Sequence, residues 1–190
     1  MDENKTVQIS LPYAATSLLL ILVSFAVSAY TIVVPESLIG VIASVMMFVA
    51  LFAALFYILR GCKKDAAKYF KTFVATFTIA EAVNIISLCV ATSTVFSVKV
   101  LALIFLFDVV LLGLLVYVLV KKDLGVKKTT AMGVLIMIFS AIDFVKGIII
   151  SKSTATPNEA LIGFATFSLG LTMMFMIYAK YKDKSARGTK

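Results

Sequence analysis

Histidine and tryptophan are absent from this sequence, cysteine occurs twice and proline three times. Each scarcity removes a class of explanation. Without histidine the usual metal ligand and the usual general base are gone, and with them the intramembrane protease and phosphatase schemes that depend on that ring. Cys62 and Cys89 fall at different depths of the hydrophobic pattern, so no disulfide is expected. A lone Cys62 beside a membrane could be acylated, but an unmodified thiol is the plainer expectation. Charge is scarce as well: 15% of the residues are charged against 62% hydrophobic. A water-soluble chain of this size buries only about 70% of its surface and would keep large apolar patches exposed. Lipid is therefore the expected solvent.

Six apolar stretches are present, over residues 11–33, 37–59, 72–93, 99–120, 130–150 and 158–179. Each is long enough to cross about 30 Å of hydrocarbon as a helix. Short polar connections separate them: Pro35-Glu36-Ser37, Arg60 to Lys71, Ser93 to Ser97, Lys121 to Lys128 and Ser151 to Asn158. Runs such as Leu18 to Val23 and Leu111 to Val120 show no alternation of polar and apolar residues, which argues against a β-barrel. The expected fold class is an all-α membrane protein, with six transmembrane helices arranged as three tandem helical hairpins in a single domain over residues 1–190.

The 18 Lys and Arg set the expected orientation. Fourteen lie in the segment Arg60 to Lys71, the segment Lys121 to Lys128 and the C-terminal tail from Lys180, whereas Lys99 and Lys152 alone mark the opposite face. The positive-inside rule then puts the basic face and both termini in the cytoplasm, for a multi-pass protein of the cell membrane. The leader Met1-Asp2-Glu3-Asn4-Lys5 is acidic, so the first stretch reads as a true span rather than a signal peptide. A net charge of +8 would suit nucleic acid, but these charges sit at helix ends, where orientation and anionic headgroups explain them. The bilayer is thus the expected partner, with no nucleic acid and with a homo-oligomer left open.

An internal repeat runs through the chain. Glu81 and Asn84, in the string Ala80-Glu81-Ala82-Val83-Asn84, have the spacing of Asp143 and Lys146 in Ile142-Asp143-Phe144-Val145-Lys146, at an offset of 62 residues. Pro35 followed by Leu38-Ile39-Gly40 recurs as Pro157 followed by Leu161-Ile162-Gly163, at about twice that period. Each even span ends in a tyrosine near basic residues: Tyr57, Tyr117 and Tyr178. Three hairpins with tight outer turns and basic inner links, and with Pro35 and Pro157 at two of the turns, resemble the HdeD-type family of bacterial acid-resistance membrane proteins. The middle hairpin departs from that pattern, because Thr94-Val95-Phe96-Ser97 has no proline. The resemblance implies a non-catalytic role in acid or envelope stress tolerance and carries over no site residue.

Chemistry has to come from polar groups inside the spans. Glu81, Asp108 and Asp143 fall near the middle of their helices, and Lys146 lies one turn from Asp143. An ionised group at the centre of a bilayer costs about 2.5–3.5 kcal/mol, so these side chains are expected to turn away from lipid. Asp143 is expected to pair with Lys146, while Glu81 and Asp108 share a proton. The cluster Glu81, Asn84, Asp108, Asp143 and Lys146 is either interhelical glue or the lining of a polar cavity for a proton, cation or small solute. Small residues at packing spacing (Ser24 with Ser28, Gly40 with Ser44, Ala50 with Ala54) mark helix contacts, and Met46, Met47, Met173, Met174 and Met176 suit packing better than a metal path. No cofactor and no metal is assigned, and no nucleophile–base pair points to an enzyme. The alternative to a stress-tolerance protein is a small proton-coupled transporter, or a substrate-binding subunit of an energy-coupling-factor transporter. Against the latter stand the lack of tryptophan and of a long outer loop.

Overall fold

The computed structural model describes residues 11–33, 38–60, 66–92, 97–121, 125–154 and 157–188. Six α-helices account for nearly all of them: α1 (Leu11–Val33), α2 (Leu38–Arg60), α3 (Ala66–Thr92), α4 (Val98–Val120), α5 (Gly125–Thr154) and α6 (Asn158–Gly188). All six contain a stretch long and apolar enough to cross a membrane, and the chain is a membrane-embedded all-α protein. Pro35, Glu36, Cys62 and Thr94 to Phe96 lie outside the described residues.

Three helices outrun the apolar stretches that predict them. The helix α3 starts at Ala66 rather than 72, α5 starts at Gly125 rather than 130 and continues to Thr154, and α6 continues to Gly188 rather than 179. The polar connections read from sequence are thus partly helical. A helix boundary follows backbone hydrogen bonding, which continues into water, whereas hydropathy marks only the part suited to lipid. The inner extensions all lie at the lysine-rich end of the bundle.

Successive helices are neighbours, and α6 packs against α1 to close the ring while also touching α2 and the edge of α3. This makes α6 the inner helix. Of its membrane-span residues 56% are buried, against 22% for α4 at the periphery. The order follows composition: α6 is the least apolar of the six spans and α4 the most. The core is apolar, but so is the outer surface, and small polar residues share the interior. Leu19, Leu22, Leu103 and Leu106 face outward, whereas Ser17, Ser24, Ser28 and Thr31 of α1, Ser44 of α2, and Thr166, Ser168 and Thr172 of α6 are buried. Lipid tails give no drive to bury leucine, so close packing and small polar residues select the inner faces.

The three hairpins are not packed alike. Among the described residues α5 and α6 lie together along far more of their length than α1 with α2 or α3 with α4. Glycines permit this approach. A Cβ at Gly163 would stand 2.9 Å from the Phe144 Cα and 3.0 Å from the Asp143 carbonyl oxygen, and one at Gly147 would strike the Glu159 backbone. The Leu161-Ile162-Gly163 string is therefore the point where α6 crosses α5 beside Asp143. Where α5 turns into α6, the Ala160 amide donates to the Ser151 hydroxyl of α5 at 2.9 Å, and the Leu161 amide donates to the Pro157 carbonyl just before α6 at 3.1 Å, so both α5 and the turn cap the start of α6.

Aromatic rings fill the remaining seams. Phe25 meets Phe48 and Phe52 between α1 and α2, and Phe144 meets Phe164 and Phe167 between α5 and α6. Tyr57 does not behave as the interfacial tyrosine its position suggests: it is buried against Phe70 and Phe73 at the α2–α3 contact. Tyr117 is exposed, and the Tyr178 side chain is outside the described set. The small pairs Ser24–Ser28 and Ala50–Ala54, together with Ser44, are buried at helix contacts as the spacing predicts, and Met47 and Met173 belong to the core. Cys89 is a free, exposed thiol.

Candidate functional site

The site is assembled from the middle of three helices. Glu81 stands twelfth in the α3 span that begins at Phe70, Asp108 lies about as far from the inner end of α4, and Asp143 about as far from the inner end of α5. At 1.5 Å per residue each is roughly 16–20 Å from the lysine-rich end, so the three carboxyls share one depth. Their host helices are consecutive neighbours in the ring, with α6 packed behind α5 at Gly163. Matching depth on adjacent helices brings the groups together.

The carboxyls converge closely. One oxygen from each of Glu81, Asp108 and Asp143 can be chosen so that all three lie within 4.8 Å of one another, and all three residues are buried. Lys146 binds two of them: its ammonium forms an ion pair with Asp108 Oδ1 across the α4–α5 contact and another with Asp143 Oδ1 one turn back on its own helix. The pairing of Asp143 with Lys146 matches the sequence reading. The assignment of Asp108 does not, because Asp108 takes the lysine as a full partner rather than sharing a proton with Glu81 apart from it. A lysine side chain spans four methylenes, enough to reach the neighbouring helix, and that reach is invisible in a spacing count within one helix.

Glu81 is the member without a counter-ion of its own. It is 0% exposed, and neither of its carboxylate oxygens takes a hydrogen bond from the described residues; nor do Asp108 Oδ2 and Asp143 Oδ2. Asn84 follows one turn outward on the same face of α3, is buried, and has a carbonyl oxygen without a hydrogen bond. Lys146 keeps 10% of its side chain exposed while its two partners keep 1% and 3%, so the lysine is the least enclosed member of the cluster. With all three carboxyls ionised, one ammonium would leave two negative charges uncompensated in a region where each costs about 2.5–3.5 kcal/mol. The cluster as built calls for two further positive charges.

Comparison with protein-family models, with curated proteins and with solved structures finds no match.

All five residues singled out in the spans are therefore buried or nearly so, and four of them meet. What the sequence reading missed was a set of buried hydroxyls, Ser17, Thr166 and Thr172, whose oxygens take no hydrogen bond among the described residues. On α1 the signal was present: Ser17, Ser24, Ser28 and Thr31 recur at intervals of seven, four and three, the spacing of one helix face. Thr31 bonds back to the Ser28 carbonyl at 2.9 Å, and Ser140 and Ser168 do the same to the residue four before, which satisfies those hydroxyls inside their own helices.

Proposed function

We propose that this chain is a non-catalytic, multi-pass protein of the cell membrane, with both termini in the cytoplasm, that takes up protons at the Glu81–Asp108–Asp143–Lys146 cluster and serves acid or envelope stress tolerance. The observation that carries this reading is the convergence of three buried carboxyls at mid-span, where a single ammonium pairs with only two of them. Protons are the smallest positive charges able to reach such a place, and Glu81 offers an oxygen that no other group claims. The HdeD-type layout supports the physiological side of the proposal, since a protein of that kind would meet low external pH directly.

A second reading, a small proton-coupled transporter, is favoured by one feature. Lys146 is the least enclosed member of the cluster while the three carboxyls beside it are buried, as at a proton site with one controlled entrance.

Proton uptake by purified protein in detergent, followed with an indicator dye in weak buffer during an acid pulse, tests the shared premise. Wild type is expected to bind about one proton more than Glu81→Gln over the mildly alkaline to mildly acidic range. Equal uptake by the two proteins overturns the proton site.

A further inference from the structure

We infer that the cluster is an exchange site for a hard divalent metal cation, which binds between Glu81, Asp108 and Asp143 and is displaced by two protons. This rests on the proposal that the cluster takes up protons, and it names what the protons compete with.

The charge count leads to it. Three carboxylates with Lys146 carry a net charge of minus two, and one divalent cation makes the group neutral with a single ion. Geometry agrees. A Mg²⁺ or Ca²⁺ ion stands about 2.0–2.6 Å from each ligand oxygen, so its ligands lie no more than about 4–5 Å apart. The three acidic side chains each offer an oxygen inside that limit, within 4.8 Å of one another.

An acidic cluster alone would not make a site, because acids are also drawn together by a lysine. Here the lysine accounts for only part of the set. Lys146 engages Oδ1 of both aspartates and leaves Oδ2 of each without a hydrogen bond. Glu81, fully buried, brings an oxygen into the same small volume, and neither of its oxygens takes a hydrogen bond from the described residues. Asn84 adds a buried carbonyl oxygen one turn along the same face. These free atoms are all oxygens, and the sequence contains no histidine. An all-oxygen set selects hard cations such as Mg²⁺, Ca²⁺ and Mn²⁺ over zinc or copper. The exchange balances: the metal enters with two positive charges, two protons leave the carboxyls, and the charge inside the membrane does not change.

Mn²⁺ is a suitable probe, since the free ion is counted by its paramagnetic resonance signal. Purified protein in neutral detergent, titrated with Mn²⁺ in weak, mildly acidic buffer containing an indicator dye, is expected to bind about one ion per chain and release about two protons per ion. Glu81→Gln and Asp108→Asn, checked for wild-type elution, are each expected to weaken Mn²⁺ binding about tenfold or more, and excess Mg²⁺ or Ca²⁺ to compete with Mn²⁺ on the wild type. Absence of binding, or binding unchanged in both variants, overturns the metal site. If binding is absent while the acid-pulse uptake persists, the proton site stands alone. Binding without proton release instead removes the proton reading and leaves a plain cation site.

Discussion

Lys146 is the residue on which the cluster's energetics turn. It is paired with two carboxylates, so its removal leaves three buried acids with no counter-ion. Breaking a buried ionic group by taking out one partner costs about 3–5 kcal/mol, and Lys146→Met is expected to lose stability on that scale. Asp108→Asn and Asp143→Asn each leave the ammonium with one carboxylate, so the two should cost similar amounts, about 1–3 kcal/mol. Glu81→Gln removes a charge that has no partner, and it should be neutral within about 1 kcal/mol or mildly stabilising in metal-free buffer. Thermal unfolding of the four variants in one detergent orders them. A loss at Asp143→Asn far exceeding that at Asp108→Asn would mean that the lysine does not bridge the two helices. The sequence pairing of Asp143 with Lys146 came from a one-turn spacing, while the equal claim of Asp108 depends on how α4 sits against α5.

At the scale of helices, the α5–α6 contact holds Asp143 in place. Gly163 lies against the α5 backbone at Asp143 and Phe144, and Gly170 lies against Ser140 two turns further in. A larger side chain at Gly163 must push the helices apart, and overpacking of this kind costs about 1–3 kcal/mol. Gly163→Leu is therefore expected to lower the unfolding temperature and to weaken Mn²⁺ and proton binding together, since it moves the host backbone of one acid. Gly113 is the internal control. A Cβ there meets nothing within 4 Å, so Gly113→Ala should change stability by no more than about half a kcal/mol. Equal damage from the two substitutions would show that close helix approach is not what Gly163 provides. The Leu-Ile-Gly string stood out in the sequence because it occurs twice; its mechanical meaning was not legible, because a glycine announces a close approach without saying to what.

For the whole molecule the first question is which way it crosses the bilayer. The extensions at the starts of α3 and α5 and at the end of α6 gather at one end together with most of the lysines, in keeping with a basic cytoplasmic face. Single cysteines introduced at Lys64, Lys127 and Lys184, in a background lacking Cys62 and Cys89, are expected to resist an impermeant thiol reagent in intact cells and to react after permeabilisation. Ready labelling of any one from outside would reverse the topology. With both termini in the cytoplasm, as proposed, Lys146 would stand one turn nearer the external face than Asp143 along α5.

Composition and run length by themselves determined the solvent, the helical class and the number of spans, because a bilayer leaves the backbone few choices and imposes a length near 20 residues. Period and charge likewise marked Glu81, Asn84, Asp108, Asp143 and Lys146 as groups that had to turn inward. The partners of those groups were decided only by the tertiary structure. Which helices become neighbours, how they rotate and where glycine lets them touch set Lys146 between two aspartates and left Glu81 with free oxygens. The physical reason is one of range: lipid acts on every residue wherever it lies in the chain, while an ion pair depends on a few ångströms between side chains 38 residues apart.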